Sequence, residues 1–404
     1  MGEKTERKKM PKQRIRIAIV LNRFYPEVGG AETNLHFQVR ELAKCHDVSV
    51  FTPWRLKETA QYEELEGFKV YRLRDWKNIS GAYPNIRRDT FILGVFFRIL
   101  FGHFDIVQVF PALNHNNILA LLAAKIRRIP YILCSFDLLD YAELQKRTGT
   151  IDPGMLKSYV PGKIRQWLFG KCSHIFAISN REIEVFRRYN KSVSFSPVPI
   201  NPEEYLHETP DVRAKYGIDK KAFVFLSLGR IARIKGQDLA AEAFVQCAKD
   251  MPDAKLVFVG RSDYDPAMLK EMKEKLAQAG LTPRCVFTGM VPRDEVIGFL
   301  QQSSIHVIPV RFMNSGAVVV ESWAGGIPVI QSDAVDPNLV EVGKNGYLFH
   351  SEKVAELAEC MKKAYVEREK LGGYAQNGRK KVLQEFTYQH LIKLYNEVYE
   401  KLLV

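Results

Sequence analysis

Residues 223–236 read FVFLSLGRIARIKG, and this stretch indicates the fold class. Its first six residues form a short apolar run, which is typical of a buried strand in a parallel sheet. The following eight residues begin and end with glycine and contain Arg230, Arg233 and Lys235. Ligands of open α/β sheets bind at the carboxyl ends of the strands, so we interpret this turn as a diphosphate site. Taken alone, the turn is equally compatible with a solvated basic loop.

Similar apolar runs recur on both sides of this stretch, with helical or irregular segments between them. They occupy residues 15–21, 47–51, 69–73, 106–110, 131–134 and 175–178, and then 256–259, 286–288, 305–308, 328–330 and 347–349. Strands that alternate with helices pair in parallel through right-handed crossovers. The pattern therefore predicts an α/β protein with two Rossmann-like, doubly wound parallel sheets.

The length of 404 residues suits two domains of about 200 residues each. Residues 192–210 contain four prolines and few apolar runs, which is typical of a linker. We predict a basic leader over 1–16, a first domain over 17–200, a second domain over 201–384 and a C-terminal helix over 385–404.

The formal net charge of +13 lies entirely in the first half of the chain. Residues 1–200 carry 32 Lys and Arg against 19 Asp and Glu, whereas residues 201–404 carry 27 of each kind. A one-sided excess favours an anionic surface as a partner of the first half. Part of the excess belongs to residues 1–16, which is the alternative explanation.

Several classes of protein are disfavoured by what the sequence lacks. No helix-turn-helix, zinc or RNP-type signature accompanies the basic composition, so we expect no nucleic-acid partner. The six cysteines are scattered singly, without a CxxC pair, and we expect no metal or other cofactor. No secretory signal and no apolar run of about 18 residues is evident, so we expect a cytoplasmic protein.

A second motif extends from Pro309 to Val329. A strand ends at Pro309 and a helix is expected to begin near Gly316, where free amides would favour an anion or sugar hydroxyls. Glu321 follows in that helix, and a carboxylate can accept two hydroxyl hydrogen bonds from one ribose. The alternative is a solvated glutamate, but the apolar residues around Glu321 argue against it.

A third motif joins the first strand to the first helix. Residues 24–32 read FYPEVGGAE, in which Gly29 and Gly30 would let the backbone approach a ligand. Such a loop is often no more than a turn.

The three motifs in this order resemble the retaining glycosyltransferases of family 4, and the resemblance spans nearly the whole chain. It implies a GT-B fold, in which two Rossmann-like domains face a central cleft. It also implies a metal-independent transferase that binds a nucleotide-diphosphate sugar, of the UDP or GDP type, mainly through its second domain. The last helix is then expected to cross back to the first domain.

The resemblance assigns roles to individual residues. Arg230 and Lys235 would hold the diphosphate and stabilise the leaving group, and Glu321 would bind the ribose. These three are the predicted catalytic residues. Further donor contacts are expected from Gly29, Gly30, Val291, Asn314, Ser315 and Gly316, with residues 289–291 lying against the base.

The sequence departs from the family at two positions that normally contact the transferred sugar. Met313 stands where a first glutamate is usual, and Phe136 replaces the histidine of a His-Asp pair, of which Asp137 remains. Two hypotheses follow: an active transferase with altered sugar contacts, or a non-catalytic GT-B protein that binds a nucleotide sugar or partners an active transferase.

The resemblance implies a lipid or a membrane-associated glycan as the acceptor, because many members of this kind glycosylate lipids or membrane-bound carriers. Residues 91–104 read FILGVFFRILFGHF and combine aromatic residues with nearby cations, as does KIRQWLFGK over 163–171. Such segments are typical of a peripheral contact with anionic lipids. For residues 91–104, a buried helix of the first domain is the alternative.

Overall fold

The computed structural model describes residues 14–27, 30–75, 92–110, 115–135, 162–312 and 315–404. These residues form two compact units. The first contains the described residues up to Pro197 together with Tyr388–Val404, and the second is Val198–Thr387.

The first unit is built on an eight-stranded sheet. Its strands are β1 (Arg16–Leu21), β2 (Asp47–Pro53), β3 (Tyr62–Leu65), β4 (Phe68–Leu73), β5 (Ile106–Phe110), β6 (Tyr131–Cys134), β7 (His174–Ala177) and β8 (Val193–Phe195). The spatial order is β3-β4-β2-β1-β5-β6-β7-β8. All neighbours pair in parallel except β3, which runs antiparallel to β4 at the edge.

Helices cover both faces of this sheet. They are α1 (Gly30–Ala43), α2 (Gly94–Phe101), α3 (His115–Arg127), α4 (Gly162–Lys171) and α5 (Asn180–Arg187). Apolar residues of α2, α3, α4 and α5 share one core with alternate residues of the strands, such as Val107 and Val109. Residues of α1 share the opposite core with Ile17 and Ile19. The fully apolar strands are therefore buried on both faces, as a parallel sheet requires.

The second unit begins with a short 3₁₀ turn (Pro202–Tyr205) and the single-turn helix α6 (Val212–Lys215). Its six-stranded sheet contains β9 (Phe223–Leu228), β10 (Ala254–Val259), β11 (Cys285–Phe287), β12 (Ile305–Ile308), β13 (Val329–Ser332) and β14 (Gly346–Phe349). The order is β11-β10-β9-β12-β13-β14, with every pairing parallel. The strand order reverses between β9 and β12, because the connection from β11 returns to the other side of β9. Open α/β sheets bind ligands at such a point.

The helices of the second unit are α7 (Gln237–Cys247), α8 (Pro266–Gln278), α9 (Arg293–Gln302), α10 (Ala317–Ala324), α11 (Val354–Val366) and α12 (Leu371–Glu385). The last helix of the chain, α13 (Tyr388–Leu403), belongs to the first unit. There it buries Leu391, Tyr395 and Tyr399 in the core that α1 also covers.

The structure corrects one expectation and adds one strand. Residues 192–210 are not a simple linker, because they contain β8 and the 3₁₀ turn that ends at Tyr205. The first sheet is parallel as predicted except at its edge, where the YEEL sequence of β3 forms an antiparallel strand that was not predicted. Alternating exposed and half-buried residues gave β3 too weak an apolar signal.

The expected apolar segment over 91–104 corresponds to α2. Val95 and Ile99 on its inner side are fully buried, whereas Phe97 and Phe101 are exposed. The buried-helix alternative is thus correct for the inner side of α2, whereas its outer side is exposed. Among the described residues, no helix is long and apolar enough to cross a membrane.

Candidate functional site

The turn after β9 carries the two cations predicted to bind a diphosphate. Residues Arg233–Lys235 form one 3₁₀ turn, in which the Lys235 amide donates to the Ala232 carbonyl oxygen at 2.7 Å. Arg230 is exposed, and its guanidinium lies 4.6 Å from the centre of the Tyr264 ring. Lys235 is half-buried. Both side chains therefore follow the carboxyl end of a central strand of the second sheet.

Buried contacts hold this turn in one conformation. The side-chain amide of Gln237 donates to the carbonyl oxygens of Gly229 at 3.3 Å and Arg230 at 3.0 Å. Gly236 has a φ of 69°, and a Cβ there would overlap the carbonyl oxygen of Pro309. Only glycine suits this position, because it tolerates both the left-handed conformation and the close backbone approach.

Arg311, in the segment after β12, braces the same turn. Its guanidinium donates to both carboxylate oxygens of Asp238, at 2.8 and 2.7 Å, and to the Arg233 carbonyl oxygen at 2.6 Å. The Arg311 amide also donates to the Ile234 carbonyl oxygen at 2.9 Å. The loops after β9 and β12 are thereby joined through a bidentate, charge-assisted contact.

Glu321 lies in a polar cluster rather than in free solvent. Its Oε1 accepts from the Tyr205 hydroxyl at 3.0 Å and from Arg293 Nη1 at 3.3 Å. Arg293 also donates to the Tyr205 hydroxyl oxygen at 2.7 Å and to Glu204 at 2.9 Å. Burial, followed by the charge of Glu321, raises the pKa of Tyr205, so its hydroxyl keeps the proton that it donates.

His306 connects the end of β9 to the helix that carries Glu321. Its Nε2 accepts from the Leu228 amide at 3.1 Å, and its Nδ1 lies 2.7 Å from the Ser322 hydroxyl. The Ser322 hydroxyl in turn donates to the Val318 carbonyl oxygen at 2.7 Å. Burial lowers the pKa of His306 to about 3, so the imidazole is neutral and Nδ1 is its donor.

The segment Gly289–Val291, expected to lie against a base, follows β11. The Gly260 amide donates to the Gly289 carbonyl oxygen at 2.9 Å, which joins the ends of β10 and β11. Val291 is half-buried, and Met290 is 76% exposed. Arg293 begins α9 two residues later, so the contacts of Glu321 reach the helix next to this segment.

The described site residues of the second unit lie in segments that follow β9, β11 and β12. They are Arg230, Lys235, Val291, Ser315, Gly316 and Glu321. Gly30 lies in the first unit, where it begins α1 after β1. Gly29, Phe136, Asp137, Met313 and Asn314 lie outside the described residues.

Five residues of this region were missed by sequence reasoning: Tyr205, Arg293, Gln237, Asp238 and Arg311. Gln237 and Asp238 directly follow the glycine that ends the basic turn, so the motif itself could have indicated them. The other three are distant in sequence from the groups they contact and have no local signal. Among the described residues, no group of three or more His, Cys, Asp or Glu is arranged to hold a metal ion.

Comparisons with known families match both halves of the chain. Residues 28–204 match the model described as Glycosyltransferase Family 4, and residues 208–381 match Glycosyl transferases group 1. An uncharacterised glycosyltransferase of Methanocaldococcus jannaschii is 22% identical over 406 residues, covering 96% of this chain and 99% of that protein. An alpha-monoglucosyldiacylglycerol synthase of Streptococcus pneumoniae is 23% identical, covering 84% of this chain and 76% of the synthase.

Solved structures share the fold over nearly the whole chain. The Anabaena protein HepE, in complex with UDP, has a TM-score of 0.73 at 17% identity, covering 96% of this chain and 100% of that one. Sucrose-phosphate synthase of Thermosynechococcus elongatus has a TM-score of 0.70 at 17% identity, covering 96% and 99%. With its two parallel-sheet units and with both halves matched by family models, the chain is a GT-B glycosyltransferase that belongs to family 4.

Proposed function

We propose that the protein is a retaining glycosyltransferase that moves a sugar from a nucleotide-diphosphate sugar, of the UDP or GDP type, to a lipid or a membrane-associated glycan. The observation that carries this proposal is the braced turn after β9. It presents Arg230 and Lys235 beside the segment that leads to α10 and Glu321. A rigid pair of cations at the carboxyl end of a parallel strand suits a diphosphate.

The cluster around Glu321 supports a ribose at this carboxylate. Tyr205 and Arg293 both donate to Oε1, and a carboxylate has about four lone-pair sites on its two oxygens. The carboxylate is thus oriented by its neighbours and keeps acceptor capacity for hydroxyl groups. The solved structure of HepE contains UDP, which is a nucleotide of the proposed kind.

In the proposed reaction, an acceptor hydroxyl attacks the anomeric carbon from the face that the diphosphate leaves. The bond between the anomeric carbon and the phosphate oxygen breaks, and the acceptor proton passes to that oxygen. Negative charge develops on the departing diphosphate, so Arg230 and Lys235 stabilise the transition state more than the bound donor. No step of this sequence uses a metal.

The lipid or glycan acceptor is supported by the charge of residues 1–200 and by the relatives. The Streptococcus pneumoniae synthase is named after a glycosylated diacylglycerol. A similar synthase of Acholeplasma laidlawii has the same name. We accordingly propose a peripheral position on the cytoplasmic face of a membrane.

The second candidate function is a catalytically impaired protein that binds a nucleotide sugar or partners an active transferase. Met313 and Phe136 favour it, because apolar side chains replace a carboxylate and an imidazole that would bind sugar hydroxyls. An unpaired buried hydroxyl costs about 1–3 kcal/mol. An active enzyme should then prefer a donor with fewer hydroxyls at this place, or fill the gap from Asn314, Ser315 or water.

A ligand panel followed by a turnover assay separates the two candidates. UDP, GDP and ADP, each alone and with a sugar, are tested by thermal shift, since a ligand at a hundred times its Kd adds about 2.7 kcal/mol of stability. We expect one base to be preferred and its sugar to be consumed. Binding without consumption of any donor, with activity created by Met313→Glu, would establish the impaired protein instead.

We also expect turnover to persist in EDTA, because Arg230 and Lys235 supply the charge that a metal would otherwise neutralise on the diphosphate. The measurement compares donor consumption before and after chelation, with a manganese-dependent transferase as the control. Activity abolished by EDTA and restored by manganese would contradict metal independence.

A further inference from the structure

Three helices of the first unit form a continuous outer surface, which we call the three-helix face. Apolar residues of α2, α3 and α4 enter the same core, including Ile99, Leu121 and Phe169. All three helices therefore cover the same side of the eight-stranded sheet. Their opposite sides point away from that sheet, because a helix on one face of a sheet buries only one stripe of residues.

Direct contacts join the three helices to one another. Arg127 at the end of α3 donates to the carbonyl oxygen of Leu100 in α2 at 3.2 Å. Lys125 of α3 places its ammonium 5.2 Å from the centre of the Trp167 ring in α4. The exposed side chains of the three helices thus belong to a single surface, with α3 in the middle.

This surface exposes large apolar side chains from all three helices. They are Phe97, Phe101, Leu122, Ile126, Ile164 and Trp167, with Phe101 at 73% and Ile126 at 63% exposure. Phe97 and Phe101 stack one turn apart, with ring centres 6.3 Å from each other. A contiguous patch of exposed apolar groups generally marks a surface for a partner or a membrane.

The charged residues of these three helices all have one sign. Arg98, Lys125, Arg127, Lys163 and Lys171 are exposed, and the sequences of α2, α3 and α4 contain no Asp or Glu. Aromatic and aliphatic side chains on helices whose only charged residues are cations match the interface of an anionic bilayer. There the apolar groups enter the headgroup region and the cations meet lipid phosphates.

We propose that the three-helix face docks on the surface of an anionic lipid bilayer. This inference rests on the proposed function, because docking would bring the chain to a membrane-associated acceptor. Lipid suits this face better than a protein partner because the three helices carry cations without any acidic residue. The apolar side chains also come from three helices instead of lining one groove.

Sedimentation with vesicles tests the proposal directly. The whole protein, without donor, is mixed with phosphatidylcholine vesicles or with vesicles that contain about a third phosphatidylglycerol. We expect binding to the anionic vesicles that weakens with salt, and little binding to the neutral ones. Equal binding to both, or binding to neither, would overturn the proposal; the second result would leave a protein partner for this face.

Two sets of variants locate the surface. Lys125→Gln, Lys163→Gln and Lys171→Gln together should weaken binding to anionic vesicles about a hundredfold, since each cation near the surface contributes about fivefold. Phe97→Ser with Phe101→Ser should weaken binding to the same vesicles as well. The controls in the second unit are Lys220→Gln, Lys221→Gln and Lys249→Gln together, and Val366→Ser with Leu383→Ser, which alter equal numbers of exposed lysines and of exposed large apolar residues.

Unchanged binding by the lysine variant, or an equal loss in the controls, would show that the three-helix face is not the docking surface. The lysines are exposed, so their replacement leaves the core intact, and an unchanged melting temperature verifies this. Nucleotide binding and donor consumption are measured separately. A protein that binds vesicles but consumes no donor refutes only the proposed function, and the reverse result refutes only the docking surface.

Discussion

At the scale of single residues, Glu321 shows how neighbouring donors can shape a binding group. One carboxylate oxygen receives both the Tyr205 hydroxyl and the Arg293 guanidinium. The Tyr205 hydroxyl also accepts from Arg293, so the three groups form a closed set of hydrogen bonds. Removing one member should loosen the carboxylate without removing its charge.

We expect Tyr205→Phe to raise the KM for the donor about fivefold with little change in kcat, since one hydrogen bond contributes about 0.5–1.5 kcal/mol to the binding site. Steady-state kinetics with varied donor measure this split. Tyr216→Phe is the matched control, because its hydroxyl also bonds a glutamate, Glu295, at 2.9 Å in the same unit. An equal change in the control variant would show that the effect on Tyr205 is merely structural.

Arg230→Ala and Lys235→Ala should each lower turnover by about a hundredfold or more, because each removes a cation from the departing diphosphate. Lys270→Ala removes an exposed lysine of α8 and is the control. The rates are compared at saturating donor. Near-full activity in either site variant would remove that residue from the mechanism.

At the scale of elements, the brace between the loops after β9 and β12 gives Lys235 its position. Arg311 reaches Asp238 and the Arg233 carbonyl oxygen, and its side chain is only 12% exposed. The cation is therefore one of the interior supports of the turn rather than a ligand contact. Because small displacements of a catalytic group are costly, this support should affect rate as well as stability.

Arg311→Met is expected to lower the melting temperature. It should also lower the turnover about ten- to a hundredfold at temperatures where the variant is folded. Arg311→Lys should restore part of the activity, since it keeps the charge but loses the bidentate contact. Arg368→Met is the control, because it breaks an arginine–aspartate pair with Asp253 outside the proposed site. Stability loss without a rate effect in Arg311→Met would refute the positioning role.

At the scale of the whole molecule, two buried histidines link stability to pH. Burial lowers the pKa of His306 to about 3 and that of His174 to about 4. In the unfolded chain both would titrate near 6.5, so the unfolded state binds more protons between these values. Their contribution to stability is therefore complete above about pH 6.5 and is lost as the pH falls towards 3–4.

We expect the melting temperature to fall between pH 6.5 and pH 4 by less in His306→Gln than in the parent protein, although the variant is less stable at neutral pH. His350→Gln is the control, because a hydrogen bond to Glu356 raises the pKa of His350 and gives it the opposite pH dependence. Differential scanning calorimetry over this range measures both. If the melting temperatures of His306→Gln and the parent fell equally over this range, His306 would not govern the loss of stability in acid.

All strands except β3 and β8, together with the last helix and the basic turn, could be predicted from the sequence because each has a local cause. Buried parallel strands require continuous apolar runs, and the amphipathic pattern of α13 specifies its helix over 388–403. The prediction of a linker was wrong at Val193–Phe195, because these three residues form β8 and pair with β7. So short a strand depends on its neighbour rather than on its own sequence.

The sequence by itself determined the class of fold and the family, and it predicted which residues would bind a nucleotide, because glycines, cations and apolar runs occur there at fixed spacing along the chain. Only the tertiary structure decided how those residues are held. Arg311 contacts Asp238 across 73 positions and Tyr205 contacts Glu321 across 116. It also brought the exposed side chains of three separate helices onto one surface. Such contacts carry no local pattern, since they arise only when distant segments pack on a common sheet.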